Sequence, residues 1–403
     1  MIWFQTMLRE SSTNSRALLI QLARLGDLVQ SLPAVEALQE QHPQRQLDLL
    51  CPAPMAPALD GCCSIHRVLP WDGTQWRSWA DQWTKDPART LGAVKTYLGS
   101  LTDREYEQVY DLNQHARAIL MAHLFTNRAR GSGQEGFSGE RVKPWAQYLR
   151  QVAQDRGGNR VHLADAWCGL CDVRPRGRAP FLQEKQIDLP DDMAPIGEGN
   201  GLWVALVTGA GDSERCVAPA VWALWIRRFL QQVDEGQVVL IGSGHERETG
   251  QAILEAVPAL LQGRVWDTTA RTTVAQLMRV LKTCRWTIGG DTGPLHLATA
   301  VGSRALGFYF SRARVHETGP YGEDHWVYQY STQDQPDSWP IMESIELICD
   351  GRRHAAPGWT LWNSHMDRWG VFFDDGSGGQ SIDLQRAAVW RSLSPNLYEP
   401  VAA

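Results

Sequence analysis

Residues 285–322, RWTIGGDTGPLHLATAVGSRALGFYFSRARVHETGPYG, decide the fold of this chain. They read as a short strand, a tight turn, a short helix, a second strand and a Gly/Pro-rich loop. Gly289 and Gly290 lead into the helix, Asp291 or Thr292 suits its N-cap, Pro294 lies near the first helical position, and Gly302 supplies the stop. A helix entered through glycines presents unpaired N–H groups and the positive end of its dipole, which suits an anion such as a diphosphate. Many α/β proteins carry a capped helix after a strand, so this feature gains weight only from a second one like it.

The second one is at residues 17–38, ALLIQLARLGDLVQSLPAVEAL. The apolar run 17–22 predicts a buried strand, 24–27 the turn, and 28–38 has helical periodicity. Asp27 then stands where a strand gives way to a helix. In open α/β sheets ligands bind beyond the carboxyl ends of the strands. Two such units at opposite ends of the chain predict two α/β domains facing one cleft.

Arg24-Leu25-Gly26-Asp27 followed by Leu32-Pro33-Ala34, together with Gly290-Asp291-Thr292-Gly293-Pro294-Leu295-His296-Leu297-Ala298, resembles glycosyltransferase family 9. That is the ADP-heptose:lipopolysaccharide heptosyltransferase family, whose fold is GT-B. Thr318-Gly319-Pro320-Tyr321-Gly322 and the loop 209–222 fit the same pattern, so the resemblance spans about residues 16–330. It implies an α/β protein with two Rossmann-like domains around a central cleft. It also implies an inverting, metal-independent transfer of a sugar from a nucleotide sugar, ADP-heptose by family analogy, to a lipopolysaccharide-core or related glycan acceptor.

Composition sets the bounds. The chain has 403 residues, 43% hydrophobic and 21% charged, as expected of a globular protein with two or three domains. A formal net charge of -6 argues against broad nucleic-acid binding. No apolar run is long enough for a transmembrane helix, and the N-terminus lacks the basic start and apolar core of a signal peptide. Eight cysteines in this length do not make a disulfide framework. The expectation is a cytoplasmic protein with at most peripheral contact at the inner membrane face. Cys168-Gly-Leu-Cys171 has metal or redox spacing, but without a second such pair it reads as two buried small apolar residues.

The predicted organisation is an acceptor-binding domain over 1–185, a linker over 186–200, a nucleotide-sugar domain over 201–350, and a Trp-rich extension over 351–403. Strands are expected at 46–51, 66–71 and 106–112 in the first domain, and at 201–207 and 237–241 in the second, with a helix at 219–232 between them. A helical pattern runs from 145 to 172. Residues 72–104 form an insertion in which Trp76, Trp79 and Trp83 share one helical face, expected to pack on its own domain. The final helix of GT-B proteins returns to the first domain, and the extension is longer than that requires.

Glycosyl transfer needs a base for the acceptor hydroxyl, charge stabilisation for the departing diphosphate, and a grip on the nucleotide. From the turn alone Asp27 reads as a helix cap; the family match makes it the catalytic base. Thr292 and Gly293 offer donors to the diphosphate, Asp291 grips the turn, and His296 is either a structural histidine or part of the site. Thr208, Gly209 and Arg215 belong to a small-residue loop that lets the backbone approach phosphate. Arg-Cys-Val-Ala-Pro at 215–219 departs from the family's usual Lys-Arg-Trp-Pro-Pro, which changes the geometry of that contact. Glu246 resembles the family's ribose-binding carboxylate and equally suits a helix cap. Arg24, Asn113 and Arg117 are the acceptor-side candidates, each also explicable as an ordinary polar contact. Two rival functions stay open: a GT-B transferase using another nucleotide sugar on a polysaccharide or glycoprotein, and a non-catalytic sugar-nucleotide or glycan binder.

Overall fold

The computed structural model describes residues 15–102, 105–125, 129–131, 143–183, 187–377 and 380–398. The first fourteen residues and most of residues 130–142, a stretch rich in glycine, lie outside these residues. Five strands form the first sheet: β1 (Arg16–Ile20), β2 (Gln46–Pro52), β3 (Arg67–Trp71), β4 (Gln108–Asp111) and β5 (Ala129–Gly131). They run parallel in the order β3-β2-β1-β4-β5. Eight more form the second: β6 (Trp203–Val207), β7 (Gln237–Ile241), β8 (Val265–Asp267), β9 (Trp286–Gly289), β10 (Arg304–Tyr309), β11 (Trp326–Tyr330), β12 (Trp359–Asp367) and β13 (Gly370–Asp374). Their order is β13-β12-β11-β10-β9-β6-β7-β8.

The central strands β1 and β6 are continuous apolar runs because helices cover both of their faces. Each is also the strand at which the winding reverses, since β1 lies between β2 and β4, and β6 between β7 and β9. The crevice at such a switch point opens beyond the carboxyl ends of the strands. Residues 21–27 follow β1 and residues 208–215 follow β6, so both predicted loops enter the same crevice.

Three local readings are corrected by the structure. The predicted helix 28–38 begins earlier and is broken, as Leu25–Gln30 and then Leu32–Gln41. Pro33 has no N–H to give the carbonyl of Val29 and crowds it, so the chain resets at Ser31, whose hydroxyl bonds the Leu28 carbonyl at 2.6 Å. The pattern from 145 to 172 likewise divides into Pro144–Gln154 and Leu163–Leu170, with Gly157 and Gly158 in the gap. The tail holds β12 and β13, an antiparallel pair added to the edge of the second sheet. Trp359 and Trp362 stand three apart and Phe372 and Phe373 are adjacent, so neither strand carries the period-two aromatic signal that would have marked it in the sequence.

The insertion folds as helices Thr74–Trp83 and Pro87–Leu101. Trp76 and Trp79 pack against Trp71 at ring distances of 5.7 and 6.0 Å, so most of the stripe serves its own domain; Trp83 remains 45% exposed. The cysteines of the Cys168/Cys171 pair are buried, and burial pushes the Cys171 thiol up to about 12, as befits inert packing.

After β13 the chain crosses to the first domain as helix Gln380–Leu393. There Trp390, wholly buried, meets Trp145 at 4.4 Å, and Trp145 donates to the Ser394 hydroxyl at 2.7 Å. A second tie is Asp165 of the first domain, which accepts from the Tyr321 hydroxyl at 2.7 Å and the Val371 amide at 3.0 Å. Trp390→Ala is expected to cost about 3–5 kcal/mol, as large aromatic deletions in cores do. Urea unfolding against Leu384→Ala on the same helix, an exposed position expected to change little, checks this.

Candidate active site

The interdomain cleft is about 870 Å³ and is lined from both sides. Its floor is a contact between two helix starts, Leu25–Gln30 of the first domain and Gly293–Ala300 of the second. Two glycines permit it. A Cβ on Gly26 would lie 3.1 Å from the His296 ring and 3.4 Å from the Gly293 Cα, and one on Gly293 would lie 3.0 Å from the Leu25 Cβ. Side chains at either position would hold the two helix starts apart.

Asp27 occupies the first turn of its helix, not the turn before it. One carboxylate oxygen accepts from the Arg24 amide at 3.1 Å, and the residue lines the cleft. The cap and cleft readings are therefore both satisfied by one carboxylate. Burial raises the Asp27 pKa above the ordinary Asp value; the Arg24 amide and the nearby His296 pull it down without cancelling that effect.

Asp291 is shifted the other way. Burial pushes its pKa up, but the His296 hydrogen bond, the charges of His296 and Arg215, and the Thr318 hydroxyl outweigh it and hold it below the usual carboxylate range. His296 Nε2 meets Asp291 Oδ1 at 3.1 Å, and Arg215 donates to both the Asp291 carbonyl and Oδ2 at 3.2 Å. Arg215 is thereby fixed at the cleft edge, with the rest of its guanidinium fork available to an anion.

Helix Gly293–Ala300 has Thr292 as its N-cap residue, but the threonine hydroxyl caps nothing. It is buried with no hydrogen-bond partner among the described residues, as is His296 Nδ1. In the first turn of this helix the Leu295 amide is already bonded to the Thr292 carbonyl at 3.1 Å. That leaves the Thr292 and Gly293 amides as the unpaired donors of this helix start among the described residues. Unmet donors at a helix start beside Arg215 make a site for an anion.

Glu246 forms a capping box with Ser243, whose amide and hydroxyl both donate to Oε2 at 2.7 and 2.6 Å. Its stem lies over Gly209, where a Cβ would come within 2.2 Å of the Glu246 Cγ. Gly209 thus lets Glu246 reach the cleft. Gly211 does the same for Arg24, whose Nη1 would meet a Cβ there at 2.2 Å, so Arg24 crosses from the first domain onto the loop of the second.

Two predicted residues are placed elsewhere. The Thr208 hydroxyl turns back to the Ile241 carbonyl at 3.1 Å and braces β6 against β7. Asn113 is buried, donates to the Ile20 carbonyl and Asp111, and accepts from the Leu22 amide at 3.0 Å. It locks the segment between β1 and Asp27 instead of meeting an acceptor. Arg117 falls in helix Ala116–Phe125, and its side chain lies outside the described residues. The cleft also holds Thr318 of the Thr-Gly-Pro-Tyr-Gly signature, together with His115, Arg156 and Glu317, which the sequence analysis did not single out. Glu317 directly precedes the Thr-Gly-Pro-Tyr-Gly signature and could have been found there; Arg156, in a polar loop, carried no signal. Among the described residues no group of three His, Cys, Asp or Glu side chains could hold a metal ion, and no helix is long and apolar enough to cross a membrane.

Two Rossmann-like domains around a shared cleft, with an anion-binding helix start in it, define a GT-B fold. Residues 221–339 match the profile of Glycosyltransferase family 9 (heptosyltransferase). Lipopolysaccharide heptosyltransferase 2 of Escherichia coli K12 is 23% identical over 323 residues, covering 73% of this chain and 82% of that protein. Its Salmonella typhimurium counterpart is 22% identical over the same shares. The structure of E. coli ADP-heptose LPS heptosyltransferase II superposes with a TM-score of 0.63 at 16% identity, covering 83% of this chain and 97% of that one. E. coli heptosyltransferase WaaC with ADP-2-deoxy-2-fluoro heptose does so with a TM-score of 0.59 at 17% identity, covering 84% and 100%. The chain thus resembles glycosyltransferase family 9, in the profile it matches and in these relatives.

Closure through the paired glycines has a direct test. Gly26→Val is expected to lower turnover about a hundredfold by misplacing the two halves of the site. Nucleotide affinity is expected to stay within about threefold. Steady-state kinetics beside calorimetric titration of the nucleotide separates the two effects.

Proposed function

We propose that this glycosyltransferase moves heptose from ADP-heptose to a lipopolysaccharide-core or related glycan acceptor, with inversion and with Asp27 as general base. The observation that carries the reading is the meeting of Asp27 with the Asp291–Gly293 helix start in one cleft. The family relatives support the donor and the acceptor class.

In this mechanism the acceptor hydroxyl attacks the anomeric carbon while Asp27 takes its proton. The bond from that carbon to the diphosphate breaks, and the negative charge moves onto the leaving phosphate. The Thr292 and Gly293 amides, the Thr292 hydroxyl and Arg215 meet that charge, so no metal is needed for the role. Asp291 and His296 hold Arg215 and the turn in place. Glu246 takes the ribose hydroxyls through the part of its carboxylate not engaged by Ser243. Arg24 faces the acceptor. One base and one displacement invert the anomeric centre. The enzyme works in the cytoplasm, with acceptor delivered at the inner membrane face.

Calorimetry with ADP, UDP, GDP and CMP, with and without EDTA, tests the donor side. The expected result is preference for ADP that EDTA leaves unchanged; preference for another nucleotide rejects ADP-heptose, and binding of none rejects the transferase reading. Asp27→Asn is expected to reduce turnover by about a factor of 10²–10⁴ with ADP affinity retained.

The pH dependence follows from the burial of Asp27. A base acts only when ionised, so the rate rises with pH through its pKa, which lies above the ordinary Asp value. The acid limb of kcat/KM is therefore expected above that value and is expected to vanish in Asp27→Asn. A pH–rate profile of both proteins gives the answer.

A further inference from the structure

We propose that Glu317 and Arg156 form the sugar-reading edge of the cleft, holding hydroxyls of the transferred sugar between a carboxylate acceptor and a guanidinium donor. This rests on the nucleotide-sugar transferase reading above and goes beyond it, since neither residue belongs to the motifs that define the family resemblance.

The two side chains come from opposite domains. Glu317 lies on the short helix Val315–Thr318 that follows β10, and Arg156 lies in the loop after helix Pro144–Gln154. Both line the cleft. The Glu317 side chain is only 9% exposed, and its Oε2 is buried with no hydrogen bond among the described residues. The Arg156 Nε stands 3.5 Å away, close enough for charge attraction but too far for a good hydrogen bond. A carboxylate buried this deeply normally has its oxygens satisfied. Here burial lifts the Glu317 carboxyl to about 7, although Arg156 and Arg314 both pull it down. Arg314 does not close the gap, because its guanidinium donates to the Ser311 and Ala313 carbonyls.

The missing donors are of a recognisable kind. The next residue, Thr318, reaches Asp291 with its hydroxyl, so Glu317 stands beside the turn that begins the anion-binding helix. Asp291 adds a repulsive field at Glu317. A phosphate would meet two acidic groups there, whereas an uncharged polyhydroxyl group would supply donors to Glu317 and accept from Arg156. The cleft is thus divided: Arg215 and the helix start suit the diphosphate, and the Glu317–Arg156 edge suits the sugar attached to it.

The test compares ADP with ADP-heptose on the full chain and two variants, Glu317→Gln and Arg156→Gln. Arg156 is 43% exposed, so its variant is expected to fold even if the Glu317 variant does not. Each variant is expected to bind ADP within about twofold of wild type and ADP-heptose about tenfold or more weakly, the loss of a charged hydrogen bond. The same factor is expected in KM, with kcat much less affected. If affinities for ADP and ADP-heptose fall together, the pair is a domain latch and the proposal fails. It also fails if neither affinity moves. Wild-type protein that binds neither compound overturns the transferase reading, and the sugar-reading edge with it.

Discussion

The close approach of Gly26 and Gly293 is the constraint on which the site depends. Two helix starts, each following a strand of a different sheet, can touch only because neither carries a side chain at the crossing point. Asp27 is one residue beyond the first glycine, and Thr292 one residue before the second. The backbone contact therefore sets how far Asp27 stands from the unpaired amides of the second helix start. Gly209 and Gly211 extend the same principle to the cleft wall, admitting Glu246 and Arg24 at distances that a methyl group would forbid.

Environment then divides the labour between the acidic residues. Asp27 and Asp291 have the same chemistry and opposite shifts. Asp27 is half-buried with one amide to hold it, and desolvation raises its proton affinity, as suits a base. Asp291 is buried with a histidine, an arginine and a hydroxyl around it, and stays ionised as the anchor of Arg215. Pairs of carboxylates whose surroundings push them apart mark the difference between a group that moves a proton and one that holds others in place.

The tail explains why the cleft is formed as a unit. Strands β12 and β13 lengthen the second sheet, and the following helix lays Trp390 against Trp145 of the first domain. Asp165 bridges to Tyr321 and Val371 from the other side. These ties lie away from the cleft, so they fix the relation of the domains without occupying the space a substrate needs. The tail's aromatic residues are thus structural where they pack between layers.

Local sequence determined the parts whose cause is local. Apolar runs at β1, β6 and β7 show as strands because a strand buried on both faces has no polar alternation to hide it. The helix Pro219–Gln232 is legible from its proline start and its periodicity. Asp27, Gly209, Arg215, Glu246 and the turn at Asp291 could be named because they lie at glycine turns and helix caps and because the motifs around them resemble a known family. Tertiary structure decided what such signals do not carry. Asn113 and Thr208 sit in the right loops, but their hydrogen bonds are made to β1 and β7, which only strand pairing brings within reach. Arg156 meets Glu317 across the cleft because two domains close, and no spacing along the chain encodes that contact. The sequence by itself determined which segments could bind an anion or offer a base; the packing of one domain on the other decided which side chains share a site, since that depends on distances in space between residues remote in the chain.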